Sequence, residues 1–113
     1  KIEFLQYVKE IFKTSTIRFT DTMHEEIKKV ALCSGSGSFL IKKALSQKAD
    51  AYITGDLKYH DFQTTDNQIL LVDVGHFESE IFIKDWLFDI LNKNLPTFAV
   101  LMSKHEKNPV NYL

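Results

Sequence analysis

The segment Asp73 to Glu80, with the sequence DVGHFESE, gathers the most chemically informative side chains of the chain. It follows the apolar run 69–72, which is typical of a buried strand, and it precedes a stretch with helical periodicity. His76 and Glu80 are four residues apart, so they share one face of the first turn of that helix. An imidazole beside a carboxylate at the end of a strand is half of a metal site. Because ligands of open α/β sheets bind at the carboxyl ends of the strands, the spacing predicts a metal site at this corner.

The same residues have a simpler alternative. An exposed His and Glu pair on a helix contributes only a few tenths of a kcal/mol and needs no metal. We interpret Glu78 only as a carboxylate that meets the positive end of the helix. Asp73, at the end of the strand, is predicted to orient neighbouring groups as a supporting carboxylate behind the ligands.

The elements that must position this corner alternate between helices and strands. Apolar residues at helical spacing predict helices over 2–12, 39–47 and 77–92, and Trp86 is expected in the core. Short apolar runs predict strands over 16–20, 29–34, 51–54, 69–73 and 97–102. This order predicts one α/β domain over 1–113, layered α/β/α, with a mostly parallel or mixed sheet of about five strands.

Two further loops are expected at the same edge of the sheet. The loop SGSGS, 34–38, contains Ser36 and Gly37, whose backbone N–H groups are candidates to hold a substrate phosphate. Its alternative is a tight turn in which Ser38 caps the next helix. The loop TGDLKYHD, 54–61, contains Asp56 and His60, and its alternative is a polar surface turn.

Composition excludes several classes of protein. The 113 residues contain 14 basic and 15 acidic side chains, so the net charge of −1 gives no electrostatic reason to expect nucleic acid or an anionic membrane as a partner. The single Cys33 excludes an internal disulfide and a cysteine-based zinc site, and its apolar neighbours predict a buried thiol.

No apolar run approaches the roughly 20 residues that span a bilayer, and no signal peptide is recognisable. We therefore expect a cytoplasmic protein, and the start at Lys1 suggests a fragment of a longer one.

Three segments in this order resemble a known family, the GTP cyclohydrolase 1 type 2 homologues, also called the Ngg-one-interacting factor three-like proteins. The matching segments are VALCSGSGSF (30–39), ADAYITGDLKYHDF (49–62) and LLVDVGHFESE (70–80). The tail, with Asn108 and Pro109, also fits the end of longer family members. The resemblance covers nearly the whole chain.

The resemblance implies a set of roles for residues of this chain. Family members have two related α/β halves whose facing edges hold two divalent metal ions, and many form hexamers. His76 and Glu80 match metal ligands there, and Asp56 and His60 match residues near the metal ions. This chain lacks the adjacent His pair of the N-terminal half, so we expect it to be the C-terminal half, with an incomplete metal site and the missing half as its partner. A His and carboxylate set is compatible with zinc, manganese, iron or nickel.

Two functions follow as hypotheses. The first is a metal-dependent hydrolase acting on a nucleotide or phosphorylated small molecule, with His60 as general acid or base and Asp56 orienting it or a water. The second is a non-catalytic protein that binds metal or a metabolite in a regulatory or interaction role. The fold alone assigns neither.

Overall fold

The computed structural model describes residues 1–113 and contains five α-helices, one short 3₁₀-helix and four strands. The helices are α1 (Ile2–Ile11), α2 (Ile41–Ser46), α3 (Tyr59–Gln63), α4 (His76–Glu80) and α5 (Phe82–Asn94). The strands are β1 (Arg18–Phe19), β2 (Val30–Ser36), β3 (Ala51–Gly55) and β4 (Leu70–Asp73), and the 3₁₀-helix covers Ser38–Leu40.

The four strands form one mixed sheet in the order β1-β4-β3-β2. β2, β3 and β4 are parallel, whereas β1 pairs antiparallel with β4. The parallel register aligns Thr54 with Asp73, so the carboxyl ends of β3 and β4 lie side by side. The sheet therefore brings the two polar loops that follow these strands to one edge, as the sequence predicts.

Alternating residues of the central strands fill two separate apolar layers. On one face, Ile53 and Val72 pack with Leu5 and Val8 of α1. On the other face, Tyr52 and Leu71 pack with Ile41 and Ala44 of α2. β3 and β4 are buried along their whole length because helices cover both faces. This layered α/β/α arrangement confirms the predicted fold class.

The C-terminal region differs from the sequence prediction. No strand forms over 97–102, and Phe98 and Leu101 are exposed. A strand needs backbone hydrogen bonds to a neighbouring edge, and this segment pairs with neither edge strand of the sheet, β1 or β2. The sheet therefore has four strands, and not about five.

The predicted helix over 77–92 is two helices that meet at Ile81, and α5 has no buried residue. Trp86 is exposed, so the prediction that it belongs to the core was wrong. At the start of α5, the Phe82 ring meets the Phe12 ring edge-on, with 6.0 Å between the ring centroids. Cys33 is half-buried at the side of the second apolar layer. No helix combines the length and the apolar character needed to cross a membrane.

Candidate metal site

Three side chains at the carboxyl edge of the sheet form the centre of the candidate site. His76 and Glu80 lie on α4, and Asp56 directly follows β3. Nδ1 of His76 lies 2.6 Å from Oδ2 of Asp56, and Nε2 of His76 lies 3.2 Å from Oε2 of Glu80. The imidazole is therefore held between two carboxylates, one at each ring nitrogen. All three side chains are about half exposed, so the cluster faces outward.

Two glycines and one aspartate give the backbone the shape that this cluster needs. Gly75 has φ 94°, and a Cβ at this position would meet the Glu78 carboxylate. A Cβ on Gly55 would lie 2.9 Å from the Gly75 carbonyl oxygen and 2.9 Å from the His76 Cα. The end of β3 thus approaches the start of α4 backbone to backbone. Asp56 itself has φ 55°, in the left-handed region that Asp tolerates better than most residues.

A buried carboxylate connects the segments that form this corner. Asp73 is 4% exposed and accepts hydrogen bonds from the backbone N–H groups of Leu57 and Gly75, each at 2.9 Å. It also forms an ion pair with Arg18, which donates a second hydrogen bond to the Leu57 carbonyl at 2.8 Å. Asp73 therefore ties β1, the loop after β3 and the turn before α4 together. This geometry agrees with a supporting role, and the role itself stays a prediction.

Glu80 is held against the end of β2. Gly35 has φ 64°, and a Cβ there would collide with the Glu80 carboxylate. The Gly35 N–H donates to the Ser79 hydroxyl at 2.7 Å, so α4 is tied directly to β2. Sequence reasoning missed both Gly35 and Ser79 as contributors to the site, although a glycine at a strand end was the signal that could have indicated a close approach.

The two carboxylates change the proton affinity of the imidazole. The hydrogen bond to Asp56 is the largest cause that raises the pKa of His76, burial opposes it, and the negative charge of Glu80 adds to the rise. The imidazole therefore holds a proton to a higher pH than an isolated histidine does. Any cation that binds Nε2 must displace that proton.

Three of the predicted site residues do not join the cluster. His60 is exposed on α3, and its Nδ1 lies 3.3 Å from Oε1 of Gln63; it forms no hydrogen bond or ion pair with Asp56 or His76. Ser36 is exposed at the end of β2, which extends two residues further than predicted. Gly37 is buried, its carbonyl accepts the Tyr52 hydroxyl at 2.7 Å, and a Cβ would strike Tyr52 and Thr54.

Gly37 therefore has a packing role in the structure. It is also the N-cap residue of the 3₁₀-helix, so the alternative in which Ser38 caps the helix was wrong. Because the Gly35 N–H is already bound, less of this loop is available for an anion than the sequence suggests. The substrate-binding roles of Ser36 and Gly37, and the catalytic role of His60, stay predictions.

The C-terminal tail also reaches the corner, which sequence reasoning did not anticipate. The Asn108 amide donates to the Glu78 carboxylate at 2.8 Å, and Lys84 pairs with Glu106 at 2.9 Å. Glu78 therefore anchors the tail, beyond any effect it has on the end of α4. Sequence reasoning also missed Arg18 as a residue that holds this corner. The fact that it is the only arginine in the sequence was the sole signal that could have pointed to it.

No group of three or more His, Cys, Asp or Glu side chains is arranged to hold a metal ion within the chain. His76 and Glu80 present two potential ligand atoms to one point, while Asp56 occupies the opposite nitrogen of the imidazole.

The family model described as Duf34/NIF3 (NGG1p interacting factor 3) matches residues 2–109. The chain belongs to this family, which confirms the resemblance identified from its three loop segments.

Named relatives and solved structures agree with this assignment. A Campylobacter jejuni protein named GTP cyclohydrolase 1 type 2 homolog is 39% identical over 94% of the chain. A Streptococcus pneumoniae protein of the same name is 34% identical over 84% of the chain. The crystal structure of Staphylococcus aureus protein SA1388 superposes with a TM-score of 0.81 over 98% of the chain, at 26% identity. The chain spans only 42%, 43% and 38% of the lengths of these three proteins.

Proposed function

We propose that this chain forms the C-terminal part of a dinuclear metal-binding protein, a metal-dependent hydrolase that acts on a nucleotide or phosphorylated small molecule. The observation that supports it best is the placement of His76 between Asp56 and Glu80. A carboxylate on one nitrogen of a metal-binding histidine fixes the ring and leaves the other nitrogen free for the metal.

The distances in the cluster fit a metal ion. Two ligand atoms that each lie about 2.1 Å from one tetrahedral ion are about 3.4 Å apart. Nε2 of His76 and Oε2 of Glu80 are 3.2 Å apart, close to this separation. With the Nδ1 proton donated to Asp56, Nε2 is the nitrogen that would bind the ion after losing its own proton. His76 and Glu80 would therefore hold the ion, and Asp56 would orient His76.

The chain supplies two ligands, and catalytic zinc usually has three protein ligands and a water. We propose that the remaining ligands come from an N-terminal half of the same protein, and that such proteins assemble as homo-oligomers. The partial coverage of the relatives' lengths supports a longer protein. Zinc, manganese, iron and nickel all accept this donor set.

When bound, two divalent ions would supply hydroxide at neutral pH and polarise a substrate oxygen. The chain's own residues would hold and orient them. Asp56 would accept a hydrogen bond from Nδ1–H and so leave Nε2 to the ion, Asp73 holds the turn that carries His76, and Gly35 leaves room for the Glu80 carboxylate.

One observation favours the second candidate, a protein that binds metal or a metabolite without turnover. The predicted general acid or base, His60, forms no hydrogen bond or ion pair with the cluster, and Asp56 is already paired with His76. A binding site needs no free base at this position, whereas a hydrolase must obtain one from elsewhere.

The experiment that separates the two candidates uses the complete gene product. Metal content and hydrolysis of a panel of nucleotides and phosphoesters are measured for the unmodified protein, His76→Ala and Glu80→Ala. The hydrolase proposal expects both variants to lose metal and activity together. Metal loss with no activity in the unmodified protein supports the binding role, and unchanged metal in both variants refutes the ligand assignment. Glu25→Ala, on an exposed loop, is the matched control.

A further inference from the structure

A second feature of the corner is a cavity of about 390 Å³ beside His76, on the side away from Glu80. Its floor is the turn before α4, with Gly75 and His76, and one wall is the C-terminal tail, with Val110 and Tyr112. The volume lies at the small end of the range for small-molecule sites. The cavity is therefore large enough for part of a metabolite and opens next to the proposed metal ligand.

The tail that forms this wall is fixed in place although it has no regular secondary structure. The Asn108 amide donates to Glu78 of α4 at 2.8 Å, and the Val110 N–H donates back to the Asn108 side chain at 3.0 Å. The Lys84–Glu106 ion pair anchors the tail a few residues earlier. These contacts place Tyr112 near Gly75, where its hydroxyl would lie 3.4 Å from an added Cβ.

The charges around the cavity argue against an anion. Its ionisable lining includes the carboxylates of Asp56 and Asp73 and a single permanent cation, Arg18. The Arg18 guanidinium is already paired with Asp73 and bound to the Leu57 carbonyl. The His76 imidazole, the other basic group of the lining, already lies between Asp56 and Glu80, so no cation is left unpaired to attract a phosphate group in the absence of metal ions.

The remaining lining suits an uncharged, flat ring. Phe77, Val110 and Tyr112 supply apolar surface, and aromatic side chains accept the faces of flat heterocycles. The Asp56 carboxylate and the Thr16 hydroxyl offer acceptors for N–H groups at the ring edge. Burial raises the pKa of Tyr112, and the charges of Glu78 and Asp73 add to the rise, so its hydroxyl stays a hydrogen-bond donor at neutral pH.

We infer that this cavity binds the uncharged, nitrogen-containing ring of the substrate, and that Tyr112 on the tail is a binding residue for that ring. The inference rests on the proposed function in one respect, since any phosphate of the same substrate would be held by the metal ions. Asn108 does not line the cavity. It acts as a positioning residue, because it anchors the tail that carries Tyr112.

The test uses the complete gene product with adenosine as the ring probe and inorganic phosphate as the anion probe. Binding of each is measured by ligand-observed NMR, before and after removal of metal by chelation. The variants are Tyr112→Ala and Asn108→Ala, with Tyr7→Ala and Asn111→Ala as matched controls; Tyr7 is an exposed tyrosine on α1, and Asn111 is an exposed asparagine of the tail. Thermal unfolding of each variant checks that the fold is retained.

The inference expects adenosine to bind with or without metal. Loss of one aromatic contact weakens such binding by about fivefold or more, so we expect this loss in Tyr112→Ala and, through release of the tail, in Asn108→Ala. Both controls keep the original affinity, and phosphate does not displace adenosine after chelation. Absence of adenosine binding, unchanged affinity in Tyr112→Ala, or displacement by phosphate after chelation would each overturn the inference.

Failure of the proposed function gives a different result. If His76→Ala retains all bound metal, the ligand assignment is wrong, but the Tyr112 effect on adenosine in chelated protein can still be observed. If metal is lost in His76→Ala while Tyr112→Ala binds adenosine normally, the metal site stands and the ring cavity does not.

Discussion

Replacement of Asp73 by asparagine should destabilise the fold more than any other change of a single carboxylate to its amide. The carboxylate is almost fully buried and accepts from Arg18, the Leu57 N–H and the Gly75 N–H. Asparagine has the same shape but only one acceptor oxygen. If that oxygen keeps Gly75, the new NH₂ group faces Leu57 and Arg18, which are both donors.

The expected loss follows from these two broken contacts. A hydrogen bond to a charged group contributes about 1.5–3 kcal/mol, and a buried N–H left without a partner, such as that of Leu57, costs a comparable amount. Arg18 is more than half exposed, so its ion pair adds at most about 1 kcal/mol. Asp73→Asn should therefore lower the free energy of unfolding by about 2–4 kcal/mol, a large share of the roughly 5–15 kcal/mol of a typical domain.

Urea unfolding followed by circular dichroism measures this loss. With a slope of about 1–3 kcal/mol per molar urea, the midpoint should fall by about 0.7 M or more. Asp89→Asn, an exposed residue of α5 with no hydrogen-bond partner, is the matched control and should change stability by less than about 0.5 kcal/mol. Equal midpoints for the two variants would refute the account of how the corner is held.

Three further predictions concern residues at the two ends of β3. Gly55→Ala places a Cβ against the backbone of the turn before α4 and should cost about 1–3 kcal/mol in urea unfolding; an unchanged midpoint would show that the backbones do not approach so closely. Asp56→Asn removes the main cause that raises the pKa of His76, so an NMR titration of the imidazole should show this pKa falling towards 6.5, whereas no change would contradict the 2.6 Å contact. The backbone hydrogen bond from Lys29 is the largest cause that lowers the pKa of Asp50 below 3.8, so Asp50 stabilises the fold above that pH and the contribution is lost as the pH falls through its folded pKa. Unfolding of Asp50→Asn should accordingly depend less on pH below about 4 than unfolding of the original chain, and parallel pH profiles would refute this.

The sequence predicted the parts of the site that depend on local spacing or on parallel topology. His76 and Glu80 meet because residues four apart on a helix are neighbours. Asp56 joins them because parallel strands end at one edge, and Thr54 pairs in register with Asp73. Both contacts require only the correct element types in the correct order.

The features that sequence reasoning did not anticipate depend on contacts that no local pattern encodes. His60 belongs to the expected loop, but that loop turns into α3, where Asp61 accepts from the Lys58 N–H at 2.7 Å and the His60 side chain meets Gln63. The apolar run 97–102 has the composition of a strand, yet no free sheet edge pairs with it. Trp86 was assigned to the core from its place in an apolar helix face, and periodicity identifies such a face without identifying what covers it.

The proposal that His76 and Glu80 bind metal is tested most directly by anomalous diffraction from crystals of the complete gene product grown with manganese or zinc. The account predicts an anomalous peak about 2.1 Å from Nε2 of His76 and from a Glu80 oxygen, with Asp56 still on Nδ1. A fully occupied metal site elsewhere in the protein, with His76 and Glu80 paired only to each other, would contradict it.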